Sequence, residues 1–168
     1  MQTLGITFVY FIANISTLAS EQPEGAIKFN QSMAPVVESY LKIQESLAAD
    51  TTTHIRQAAE SIQKNLAKVQ TAHIRGPNSQ FYRELPKRLR KAAIEMANSK
   101  GLESARRAFY AVSRPITLWA STAKPSGTTL AFSSMAGGGW LQKKGPLRNP
   151  YYGSQMLECG EFVKFAGE

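Results

Sequence analysis

The chain has 168 residues, 43% of them hydrophobic and 19% charged, which fits one domain with its own core and excludes a wholly disordered tail or a polytopic membrane protein. A single cysteine, Cys159, excludes an internal disulfide framework and a four-cysteine zinc site, and two histidines, His54 and His73, leave little for a histidine-based centre. Lys+Arg 20 against Asp+Glu 12 gives a net charge of +8, a surface that draws anions without naming one.

Residues 1–20 carry no charged side chain, and Leu4 to Leu18 is mostly apolar, broken by Thr7, Asn14 and Ser16. A spanning helix needs ~20 apolar residues, so the run is short for one. It suits the apolar region of a secretory signal peptide, with the small residues around Thr17 to Ser20 as its cleavage region, although only the N-terminal amine supplies positive charge. Residues 1–20 are therefore expected to be a signal peptide and residues 21–31 a linker.

From residue 32 the pattern is helical. Ser32 can cap a helix with Pro35 in its first turn and Val36, Val37, Tyr40, Leu41, Leu47 and Ala48 on one face. Asp50 and Thr51 to Thr53 offer caps for a second helix, with Ile55, Ala59, Ile62, Leu66 and Val69 inward and an end near Gly76-Pro77. A third is expected over 86–97, with residues 78–85 a separate turn or short helix, because Pro86 suits a first turn and breaks an interior. The fourth follows Gly101 with the cleanest stripe, Leu102, Ala105, Phe109, Val112, Ile116 and Trp119, and Pro115 is expected to kink it. These elements predict a mainly α fold: a mostly antiparallel bundle of about four helices over 32–124. Residues 125–168 form an irregular Gly/aromatic-rich lobe, with short strands expected at Thr128 to Phe132 and Glu161 to Phe165 and turns at Gly137-Gly138-Gly139, Gly145-Pro146 and Asn149-Pro150.

Three sulfur residues lie in that lobe. Thiolate and thioether are soft ligands that select Cu(I) over hard cations. Met156 and Cys159 are three apart, so one turn can aim both at one ion, with Met135 arriving from the preceding loop. The competing reading makes the methionines packing residues and Cys159 a small buried hydrophobe. A lone exported cysteine can also pair with another chain. In Arg148 to Gly153, Asn-Pro starts a turn, and Tyr151, Tyr152 and Trp140 are expected to plug the lobe against the bundle, their polar tips met by Arg148 or Gln142. The alternative is a docking surface built from Trp140, Arg148, Tyr151 and Tyr152. His54 and His73 cannot share an ion on a straight helix, where nineteen residues span ~28 Å. The basic run Arg83, Lys87, Arg88, Arg90 and Lys91 reads as a solvated face, with phosphate binding by charge alone as the alternative. No nucleic-acid motif, nucleophile elbow, zinc-protease motif or phosphate-binding glycine loop is present, and no enzyme is expected.

Met135-Ala136, Trp140-Leu141-Gln142, Arg148-Asn149-Pro150-Tyr151-Tyr152-Gly153, Met156-Leu157 and Cys159-Gly160 together resemble the domain-of-unknown-function family 3347. Tyr40 to Asp50 is similar to that family's first helix and following turn, and Ala105 to Phe109 with Ser113 to its last helix, so the resemblance spans roughly 33–165. The family occurs as a small exported protein and as the terminal domain of periplasmic adaptors of heavy-metal efflux. The resemblance implies a periplasmic or secreted, non-enzymatic accessory of copper or silver handling, with no obligatory cofactor. It further implies Cu(I) or Ag(I) held by Met135, Met156 and Cys159, efflux components as partners, no nucleic acid, and membrane contact only through an uncleaved leader. The family usually reads Cys-Pro-Met where this chain has Ser133, Ser134 and Met135. The lost thiolate weakens the site or leaves it to be closed by a partner's ligand; the alternative is a structural or protein-interaction module that has lost metal binding.

Overall fold

The computed structural model describes residues 24–72, 74–76 and 78–167, so the expected signal peptide and His73 lie outside the described residues. Five helices lead into a small sheet: α1 Glu24–Ser32, α2 Ala34–Ala48, α3 Ile55–Leu66, α4 Ser79–Ala97, α5 Gly101–Ala123, then β1 Thr128–Ser133, β2 Gly138–Lys143, a single 3-10 turn at Gly153–Gln155 and β3 Glu161–Val163. Consecutive helices pack on one another and α5 returns to α2, closing the expected bundle. Among the described residues no helix is long and apolar enough to cross a membrane.

Most of the segment expected as a linker is helical. Phe29 in α1 is buried and meets Tyr82 of α4 edge-on at 5.1 Å, and Asn30 accepts a hydrogen bond from the Trp119 indole at 2.9 Å. Two aromatic contacts and the buried Met33 hold a helix that charge and composition read as a tether. Ser32 ends α1 rather than capping α2; its hydroxyl donates to the Phe29 carbonyl, and Met33 precedes α2 without a side-chain cap.

In α2 the inward face is Val36, Tyr40, Ile43 and Leu47, all fully buried. The helix ends where Asp50 takes a left-handed φ of 55°. The threonines cap nothing. Thr51 and Thr53 bond to each other, and His54, also left-handed, precedes α3 without a side-chain cap. Helix α3 stops at Leu66 instead of near Gly76, because the inward stripe lapses there: Ala67, Lys68, Gln70 and Ala72 are exposed.

The break expected before Pro86 is absent, and α4 runs through it. Pro86 removes the bond its amide would give the Tyr82 carbonyl, at a cost of ~3 kcal/mol. Tyr82, Leu85 and Leu89 are buried on either side of it. At ~1.5–3 kcal/mol for each large apolar side chain buried, they outweigh that cost. Helix α5 likewise continues through Pro115, with Ala105, Phe109, Val112, Ile116 and Trp119 inward as the stripe predicts.

The sheet is antiparallel in the order β2-β1-β3. Strand β2 falls where glycines predict a turn; Gly138 pairs with Ser133 and Gly139 with Phe132, leaving the turn to residues 134–137. Strand β2 lies on α5 and α2. There Tyr40 stacks on Phe109 at 5.4 Å, and Tyr151 meets Phe109 at 5.6 Å and Trp140 at 6.0 Å. A hydroxyl chain crosses the same joint. The Leu141 N–H donates to Tyr40 Oη at 3.1 Å, Tyr40 donates to Ser113 Oγ at 2.7 Å, and Ser113 donates to the Gly139 carbonyl at 2.8 Å. Burial pushes the Tyr40 and Tyr151 phenols above their ordinary range, so both stay neutral and able to donate.

Candidate metal site on the C-terminal lobe

Cys159 sits in the turn before β3, and its position follows from the sheet register. Strand β1 pairs with β3 as Leu130 with Val163, Ala131 with Phe162 and Phe132 with Glu161. Continued by two residues, that register faces Ser133 with Gly160 and Ser134 with Cys159. Gly160 permits the approach: a Cβ there would stand 2.8 Å from the Phe132 carbonyl and 3.0 Å from the Trp140 ring, on a backbone with φ +148°. The turn from β1 to β2 carries Met135 to the same edge. The Cys159 Sγ lies 3.8 Å from the Met135 Sδ.

The Arg148 to Gly153 block holds this turn in place. Asn149 is fully buried and makes four bonds. Its N–H donates to the Leu157 carbonyl at 2.7 Å, and its Nδ2 to the Cys159 carbonyl at 2.6 Å. Its Oδ1 accepts from the Tyr151 N–H at 2.8 Å and its carbonyl from the Gly153 N–H at 3.0 Å. Gln142, also buried, accepts from Trp140 Nε1 and the Arg148 N–H, both at 3.0 Å, and donates to the Pro146 carbonyl at 2.8 Å. Gln44 of α2 donates to the Arg148 carbonyl at 2.8 Å. Each buried amide is satisfied, so the loop from Lys144 to Cys159 is fixed by polar contacts as much as by packing.

A second tie reaches the bundle. Arg106 of α5 pairs with Asp50, and its guanidinium also donates to the carbonyls of Pro150 and Leu47, both at 3.2 Å. Asp50 Oδ2 accepts from the Ser154 N–H at 2.9 Å. Hydrogen bonds from Ser154 first, then Arg106, hold the Asp50 carboxyl at about 2, below the usual carboxylate range. Gly153 sits against this pair at φ +58°, where any Cβ would overlap both Asp50 and Arg106.

Of the residues expected to ligate a metal, Met135 and Cys159 are together. Met135 is 61% exposed and Cys159 half-buried, so an ion can reach them. Met156 opens the same turn, its carbonyl accepting the Cys159 N–H at 3.0 Å. With metal–sulfur bonds of ~2.3 Å, two sulfurs 3.8 Å apart subtend an angle of about 110° at an ion, whereas linear coordination needs ~4.6 Å. The pair therefore fits a bent, three- or four-coordinate soft ion and calls for at least one further ligand. Ser133, standing where the resembled family has cysteine, is buried, and its hydroxyl accepts the Ala136 N–H at 3.3 Å. Among the described residues no group of three or more His, Cys, Asp and Glu side chains can hold an ion.

The docking expectation divides. Trp140 is fully buried and has no surface to offer a partner; its place is the lobe core, bonded to Gln142 as the plug reading anticipates. Tyr151 is half-buried and donates to the Gly139 carbonyl at 2.9 Å. Tyr152 is half-buried, the Arg148 side chain is exposed, and His54 lies exposed before α3. Arg83, Lys87, Arg88, Arg90 and Lys91 are exposed along α4. By sequence Asp50 reads as a cap and Asn149 as a turn former. Both types carry a polar signal, but nothing local shows that Asp50 finds Ser154 104 residues later, or that Asn149 finds Cys159 10 residues later.

No curated protein and no solved structure matches the chain. The family model described as Protein of unknown function (DUF3347) matches residues 36–128, from the start of the α2 stripe to the first residue of β1. The sulfur residues follow the matched segment. The match covers more than half of the chain, and the protein belongs to this family.

Proposed function

We propose that the protein is an exported, non-enzymatic accessory of copper or silver handling that carries Cu(I) or Ag(I) as cargo between Met135 and Cys159. The observation behind the reading is the 3.8 Å approach of an accessible thiol and a thioether on a turn that Asn149 clamps. Soft sulfur donors favour such ions over hard cations. Two sulfurs bind weakly, and Met156 on the same turn or a partner's side chain supplies the further ligand. The uncharged apolar run at residues 4–18 supports export. The test is an anaerobic Cu(I) and Ag(I) titration against a competing chelator, with Cys159→Ser as control. Stoichiometric binding lost in that variant supports the reading; equal binding in both removes it.

Ser133 favours a second reading, a structural or protein-interaction module that has lost its metal. Its hydroxyl is buried and engaged by the Ala136 amide, so an oxygen stands where the resembled family has a thiol. Under this reading a partner is retained from exported extracts whether or not metal is present, and metal titrations of the protein stay flat.

A further inference from the structure

The exposed face of α5 forms the floor of a trough, walled by α4 on one side and the lobe on the other. Three adjoining depressions of about 330, 770 and 570 Å³ all share Tyr110, whose hydroxyl donates to the Gly137 carbonyl. Along the floor run Glu103, Arg107, Tyr110, Arg114 and Leu118, spaced three and four apart; Phe81 and Arg88 line the α4 wall. Leu118 is 57% exposed and Tyr110 40%, so this stripe of α5 is covered by nothing described. Arg107 is neutralised by Glu103, but Arg88 and Arg114 form no ion pair among the described residues.

We propose that this trough binds an amphipathic helix of a partner protein whose apolar stripe is flanked by acidic residues. From Glu103 to Leu118 the floor is ~22 Å long at 1.5 Å per residue, the length of four helical turns. Its chemistry matches that occupant: Tyr110, Phe81 and Leu118 receive an apolar stripe, and the guanidiniums of Arg88 and Arg114 donate bidentately to its carboxylates. Aromatic residues and arginine are the side chains that anchor interfaces. Charge selects against the chain's own segments as occupants. Residues 1–20 carry no charged side chain to pair Arg88 and Arg114, and a second copy at +8 is repelled. The proposal stands whether or not the lobe carries metal.

The test measures binding of a fluorescent 16-residue peptide to the full chain by anisotropy. The peptide has leucines at three-four spacing flanked by glutamates; a second peptide has the same composition in scrambled order. Arg88→Glu, Arg114→Glu and Leu118→Glu change exposed side chains, and circular dichroism checks that each variant keeps its fold. Arg90→Glu makes the same charge change about 200° around α4 from Arg88. The expected result is binding weakened about 10-fold or more by each trough variant and less than about 3-fold by Arg90→Glu. Equal binding of the scrambled peptide, or equal loss in Arg90→Glu, overturns the proposal in favour of non-specific charge attraction. Binding of phosphatidylglycerol vesicles that the trough variants abolish, with no peptide binding, overturns it in favour of a membrane surface.

Discussion

Replacing Asn149 by alanine removes both side-chain bonds that position the Cys159 turn, Nδ2 to the Cys159 carbonyl and Oδ1 from the Tyr151 amide. A net hydrogen bond is worth ~1 kcal/mol, and a partner left dry and unpaired raises the loss to ~3 kcal/mol, so losing both costs the variant ~2–6 kcal/mol. With a urea dependence of ~2 kcal/mol per molar, the unfolding midpoint falls by ~1–3 M. Labelling of Cys159 by a thiol-exchange reagent, followed without denaturant, accelerates as well, because the turn loses its tether while the strands remain. Asn149→Asp separates the two bonds. It keeps an acceptor for the Tyr151 amide but sets an oxygen against the Cys159 carbonyl, so its labelling rate matches that of Asn149→Ala. A midpoint shift of less than ~0.3 M in Asn149→Ala, with a labelling rate equal to that of the parent, refutes the clamp.

Gly153→Ala forces a Cβ into Asp50 and Arg106 at a left-handed φ, and differential scanning calorimetry should show ~2 kcal/mol or more of lost stability. Asp50, held at about 2 against ~3.9 for an unfolded aspartate, contributes stability that is whole above about pH 4 and drains as pH falls toward 2. Asp50→Asn should flatten that part of the acid unfolding curve; parallel curves for parent and variant count against the tie. Ser133→Cys restores the thiol that the resembled family carries at this position and is expected to raise Cu(I) and Ag(I) affinity ~10-fold or more in chelator competition, with Cys159→Ser cancelling most of the gain.

The helical stripes were the legible part of the fold. Tyr40 with Leu47, Ile55 with Leu66, and Phe109 with Trp119 recur at helical spacing and are buried where that spacing puts them. What escaped depended on contacts far away in the chain. Helix α1 is held by Tyr82 and Trp119, and α4 crosses Pro86 because of what its neighbouring turns bury, so a local rule about proline or composition could not settle either. Strand β2 begins with glycines that read as a turn, since a strand is defined by its partner, and the partner is β1. At the site the residue types named Met135 and Cys159. Their meeting required the β1–β3 register and a bare Gly160, neither of which has a local signature. Trp140 shows the converse: an aromatic of interface type belongs here to the interior.

The hydroxyl chain across the bundle–lobe joint has a consequence for how the chain is made. Tyr40 is an early residue, yet the Leu141 amide that satisfies it lies 101 positions later. While the chain emerges from the ribosome, the helices can assemble first, but the face of α2 and α5 that β2 will cover stays bare until residues 138–143 arrive. Residues 128–163 act as a closing latch, and a chain cut short near residue 128 is a bundle with an open apolar flank, a natural target for chaperones and proteases.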